Sequence, residues 1–208
     1  MKLFILPTVI ILGWVLHHNI KKNKGHDKDN ISSYLEREEN ANAVRRMDIS
    51  NLPYIQVPLN RLPLDITLND ENMQSKIDEY KKNIYDLSEK KMLNLIGVSN
   101  LELKEQYGPA NLEELSIYDQ RYGTFIQMLS LYANCIYKEY PKEAITICEY
   151  CINIGTDISG TYALLGQYYM DKKQYHSFEH LYEVIPDKNS VAGKVIMNKL
   201  NAIKDADI

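Results

Sequence analysis

The sequence predicts an all-α protein: a single N-terminal transmembrane helix, then an α-helical domain crossed by one extended, proline-containing segment. Three observations predict it. An uncharged apolar run fills residues 3–20, from Leu3 through Trp14 to Ile20, and Lys21, Lys22 and Lys24 follow at once. Most of the remaining chain repeats apolar residues at helical spacing, with charged residues between them. The exception is residues 48–68, where Pro53, Pro58 and Pro63 recur at five-residue steps. The expected organisation is an anchor (1–20), a basic and polar linker (21–30), a helical N-terminal part (31–108) containing the extended segment, and a helical region (109–208) closed by a capping helix.

Eighteen residues of helix at about 1.5 Å each span about 27 Å, enough for a bilayer core. The strictly apolar part, residues 3–16, also has the length of a signal-peptide core. The stretch after it, Trp14-Val15-Leu16-His17-His18-Asn19, offers no small-residue cleavage site, so an uncleaved anchor is expected. Lys21, Lys22, Lys24 and Lys28 outnumber the positive groups before the run, Lys2 and the α-amino group. The positive-inside rule therefore predicts a single-pass protein of the cell membrane with its domain in the cytoplasm.

From Asn30 onward there are 19 Lys and Arg against 26 Asp and Glu, seven more acidic than basic. No nucleic-acid partner is expected for such a domain, since phosphate neutralisation supplies most of that affinity. Tyrosine is frequent, 16 against 3 Phe and 1 Trp, which suits positions where an aromatic body packs and a hydroxyl reaches the rim. Cys135, Cys148 and Cys151 are too few and too odd in number for a disulfide framework, and they agree with a reducing compartment. Cys148 and Cys151 have C-x-x-C spacing, but within a helix and without a second pair or a βαβ pattern. Small core residues are the expected reading.

The elements follow in order. Ser33 and Glu36 have capping-box spacing and predict a polar helix to about Met47. Residues 48–68 are predicted extended, because each proline removes a donor and disfavours helix before it. Their alternating apolar residues predict an edge strand or a strap lying along the domain. Met73, Ile77, Tyr80, Ile84 and Leu87 place one apolar stripe on a helix over 69–87. In residues 88–108 a helix, a turn at Gly97, a Ser99 cap and a second helix stopped at Gly108 are signalled. That block resembles a helix-turn-helix, yet its second helix offers Glu102 and Glu105 against Lys104 alone, a poor face for phosphate.

Asn111 to Glu114 predicts another cap, opening a long helix to about Tyr140. Pro141 opens the next helix, which stops at Gly155. Ser159 caps a third. A turn at residues 171–173 leads to a helix over 175–185 that Pro186 closes, and residues 190–203 form the last.

An offset of 34 residues aligns Leu131 with Leu165, Tyr132 with Gly166, Ala144 with Phe178, Cys148 with Tyr182 and Cys151 with Ile185. This period, as paired antiparallel helices over about residues 125–186, resembles a degenerate tetratricopeptide repeat (TPR). Tyr162, Leu165, Gly166, Tyr169, Tyr182 and Pro186 carry the better copy. The first copy departs from the pattern with Tyr132 where a small residue is usual. The resemblance implies a TPR-like helix-hairpin domain that binds a protein segment along the face of its first helices. By position that face holds Leu129, Ala133, Ile136 and Tyr137 from one unit, and Gln167, Met170 and Asp171 from the next. The same residues also fit burial against the preceding helices or the 48–68 segment, and both readings stay open. Over most of its length the chain is also similar to an uncharacterised group of small membrane-anchored proteins of Clostridia-type bacteria. Arg45 to Leu52, the 88–108 block, Asn111-Leu112, Tyr118-Asp119 and Gly155-Thr156-Asp157 carry that likeness, which implies no activity.

The function expected is a membrane-tethered protein–protein interaction module, a scaffold or adaptor with an unidentified protein partner. The alternatives are an enzyme with an unrecognised site and a membrane-linked DNA-binding regulator using the 88–108 block. No catalytic residue, cofactor site or metal site is predicted. His176 and His180 stand one turn apart, but the third ligand that H-E-x-x-H spacing supplies is not evident.

Overall fold

The structure, a computed structural model, describes residues 31–206. Among the described residues are eight α-helices and no strand. They are α1 (residues 31–42), α2 (Glu71–Ser88), α3 (Asn100–Tyr107), α4 (Leu112–Ile136), α5 (Pro141–Asn153), α6 (Ser159–Asp171), α7 (Tyr175–Glu183) and α8 (Val191–Ala206). The predicted anchor residues Leu3, Trp14 and Ile20, and the linker over 21–30, lie outside the described residues. No helix among the described residues is long and apolar enough to cross a membrane.

The chain divides into two compact units. The first takes in the residues up to Met47 together with Ser99–Leu112. Here α1 and α3 are joined by charge. Arg37 donates to both carboxylate oxygens of Glu105 at 2.8 and 2.7 Å, and Lys104 lies 3.3 Å from Glu38. Helix α3 begins with the predicted capping box, in which Ser99 and Glu102 each accept from the other's backbone amide. It ends at Gly108, whose φ of +82° brings the backbone against the Arg45 carbonyl. Two predictions are corrected here. The α1 helix covers residues 31–42, so Ser33 lies inside it rather than at its cap, and the chain leaves the helix well before Met47. The gain is that the Met47 amide reaches the Tyr107 carbonyl at 3.0 Å. Asn111 sits in a 3-10 turn, Pro109–Asn111, rather than capping α4. Its fully buried amide donates to the carbonyls of Met47 and Tyr107 at 2.7 Å each and accepts from Arg46 at 2.9 Å. The Asn111 side chain is taken up by these three partners rather than by the end of α4.

The second unit holds Asp48–Val98 and Glu113–Ile208, and with them the main core. Residues 48–68 form a strap rather than a strand. Leu62, Leu64, Ile66 and Leu68 are buried while Asp65 and Thr67 point out. Tyrosine hydroxyls fasten the strap: Tyr132 donates to Pro63 at 3.1 Å, Tyr140 to Thr67 at 3.3 Å and Tyr150 to Gln56 at 3.4 Å. Helix α2 is capped by Asp70, and its stripe buries Ile77 and Ile84. The first helix predicted for the 88–108 block does not form. Residues 91–98 are irregular because their polar groups are used by other elements. Leu93 donates to the Tyr118 carbonyl at 3.3 Å and Leu95 to Asp119 at 3.1 Å. Asn94 donates to the Ile154 carbonyl at 2.9 Å and to Tyr122 at 3.1 Å. The block therefore has one helix, α3, and not the two that a helix-turn-helix requires.

Helix α6 is the centre of the C-terminal part and packs on α5, α7 and α8. Gly166 permits this approach, since a Cβ there would stand 3.0 Å from Leu200 and 3.2 Å from Phe178. The predicted Ser159 cap is displaced by one residue: Ile158 is the N-cap, and the Thr156 hydroxyl accepts from the Ile158 amide at 3.1 Å. The predicted turn after α6 is present and contains Lys173 at φ +57°.

Candidate functional site

Three helices of the second unit, α5, α6 and α7, enclose an open groove of about 590 Å³. Each contributes according to its sequence period. Leu165 of α6 and Leu181 of α7 are 1 % and 3 % exposed and make the floor, widened by the half-buried Ile152 and Val184. The next residues round each helix make the rim: Glu149 and Asn153 from α5, Tyr169 from α6, and His176, Ser177 and His180 from α7. Tyr169 donates to Glu149 at 2.8 Å across the groove. Burial, then this bond to a carboxylate, pushes the Tyr169 hydroxyl well above its ordinary range, so it acts as a donor and not as a base. His180 lies 2.9 Å from Glu183 through Nδ1. The groove thus combines an apolar floor with a polar rim that carries one carboxylate, Glu149, and no Lys or Arg.

The residues singled out from the 34-residue spacing are brought together only in part. Leu129, Ala133 and Ile136 of α4 are fully buried, and Met170 is 7 % exposed; all four belong to the core cluster that also contains the strap leucines. They face inward because one side of α4 supplies much of the core of this unit. Tyr137 is half-buried, with its hydroxyl pushed upward by burial. Gln167 and Asp171 are exposed and hydrogen-bond to each other at 2.8 Å. Of that predicted face, Tyr137, Gln167 and Asp171 are the residues within a ligand's reach. Of the aligned pairs, Tyr132 with Gly166, Ala144 with Phe178 and Cys151 with Ile185 are buried in both copies, whereas Leu131 is 37 % exposed and Leu165 is 1 %.

Cys148 and Cys151 are both fully buried within α5. Burial pushes the Cys148 thiol up to about 12 and the Cys151 thiol well above its usual value, so both stay protonated core atoms. No group of three potential metal ligands is found among the described residues. Sequence reasoning met His176 and His180 as an isolated pair. Leu165 and Tyr169 stood out only as packing positions of the repeat, and Glu149 and Leu181 carried no signal; the four meet only through the packing of three helices. Comparison with models of protein families, with curated proteins and with solved structures finds no match.

Proposed function

We propose that this chain is a membrane-tethered interaction module, an adaptor whose helical domain holds a segment of a partner protein in the α5–α6–α7 groove. Residues 3–20 anchor it in the cell membrane and the basic linker keeps the domain on the cytoplasmic side. In this reading α4 to α7 form two degenerate TPR-like hairpins and α8 caps them. Support comes from the close approach at Gly166 and from the resemblance of the sequence to membrane-anchored proteins of Clostridia-type bacteria.

The observation that carries the proposal is the make-up of the groove: Leu165 and Leu181 as floor, the Glu149 carboxylate with hydroxyl, amide and imidazole groups at the rim, and no Lys or Arg. The segment it fits has one apolar side chain flanked by lysine, arginine or amide donors. The test is chemical crosslinking in native membranes with the full-length protein, with Ser177→Arg in the groove and with Gln167→Lys outside it. The account expects one partner that Ser177→Arg loses and Gln167→Lys retains. A partner lost only with Gln167→Lys would move the site to the Tyr137–Asp171 side, and no discrete partner would contradict the proposal. Carbonate extraction tests the tether separately: the full chain should stay with the membrane pellet and a chain lacking residues 1–20 should leave it.

A further inference from the structure

We infer that the outward face of α4 is the interface of an antiparallel dimer between two copies of this chain. Between Glu113 and Lys138 the exposed residues of this helix and its C-terminal end carry no formal charge: Ile117, Gln120, Gly123, Thr124, Gln127, Leu131 and Asn134. At about 100° per residue they occupy one face about 120° wide, opposite Leu129, Ala133 and Ile136. The three charged residues within the span serve this chain, and Glu114 accepts from the Tyr118 hydroxyl. Asp119 accepts from the Leu95 amide at 3.1 Å, and Arg121 lies 3.4 Å from the Lys91 carbonyl and 5.8 Å from the Tyr118 ring centroid. By contrast, the exposed residues of α2 include Lys76, Asp78, Glu79, Lys82 and Asp86.

The order of residues on this face says what covers it. It is symmetrical in chemistry about Gly123 and Thr124. Moving outward in both directions come an amide (Gln120 and Gln127), then a large apolar side chain (Ile117 and Leu131). A two-fold axis at that midpoint sets Gln120 of one copy against Gln127 of the other, and brings Ile117 to within one residue of the level of Leu131. Self-complementarity of this kind is what an isologous interface requires. Carboxamides pair with themselves, whereas a charged face would set like charges together. Ile117 and Leu131 are 40 % and 37 % exposed, and a Cβ on Gly123 would meet nothing of this chain within 4 Å. No packing inside the chain explains a glycine in the middle of an exposed helix face, where alanine favours helix more. At the crossing point of two helices it allows the closest approach of backbones.

The test is sedimentation velocity on the full chain in detergent micelles, with crosslinking in a Cys135→Ser background. The expected result is a dimer that Leu131→Lys weakens about tenfold or more without changing the helical circular dichroism. Gly123→Ala should raise the melting temperature of the monomer and weaken the dimer, two effects of opposite sign that a purely structural glycine would not give. Thr124→Cys should form a disulfide between copies much faster than Lys82→Cys. A chain that remains monomeric at about 0.1 mM would overturn the inference. So would a dimer that survives both Leu131→Lys and Gly123→Ala, such as one formed through residues 1–30. A monomer that nevertheless shields residue 124 from maleimide would mean that another occupant covers the face, and would equally overturn it.

Discussion

Asn111 and Asn94 share a property that no local pattern announces: each side chain donates to backbone carbonyls of a segment far away in sequence. Replacing Asn111 with Ala removes the side-chain donor of the Met47 carbonyl, one of two donors to the Tyr107 carbonyl and the acceptor of Arg46, and a loss of about 1–3 kcal/mol in urea unfolding is expected. Gly155 has φ +84°, and a Cβ there would lie 2.6 Å from the Asn94 amide nitrogen. Gly155→Ala should therefore cost about 2 kcal/mol, read as a lower melting temperature. The thiols give a chemical check. With Cys148 and Cys151 fully buried and held protonated, alkylation of the native chain at mildly alkaline pH should mark Cys135 first; the other two should react at the rate of unfolding. Glu105 is held below the ordinary glutamate range, chiefly by its hydrogen bonds from Arg37. A folded value below the unfolded one means the pair's contribution is present at neutral pH and is lost as the pH falls through the folded value. In an NMR titration, Arg37→Gln should move the Glu105 midpoint upward.

Helices with a strong stripe and a clear cap were legible in the sequence. Helix α2 with its apolar stripe, α3 with Ser99 and Glu102, and α5 opened by Pro141 all lie where their local signals put them. The strap was legible as well, because proline and alternating leucine are local signals. What local pattern missed was decided by distant partners. Residues 91–98 carry a helix-like composition, but the groups on Tyr118, Asp119, Tyr122 and Ile154 draw their backbone and Asn94 out of any helix. The candidate face on α4 was half legible for a similar reason: its helical position was correct, and its burial depended on the packing of the strap. The turn between α6 and α7 offers a test at this scale. Lys173 has a left-handed backbone, so Lys173→Gly should stabilise the unit by about 1 kcal/mol, measurable by thermal unfolding.

For the molecule as a whole, sequence and structure bear on different parts. The proposed anchor rests on composition alone, the apolar run and its lysines in residues 1–30. The groove is a statement of packing, since Glu149, Leu165, Tyr169, His176 and Leu181 come from three helices. The proposed function joins the two: a domain tethered to a membrane that holds a partner's segment in this groove. The most direct test is photocrosslinking from a benzoylphenylalanine placed at His176 of the full-length protein in native membranes, with the same probe at Lys82 on α2 as reference. The account predicts a discrete adduct from position 176 that position 82 does not give. No adduct from position 176, or the same adducts from both positions, would contradict it.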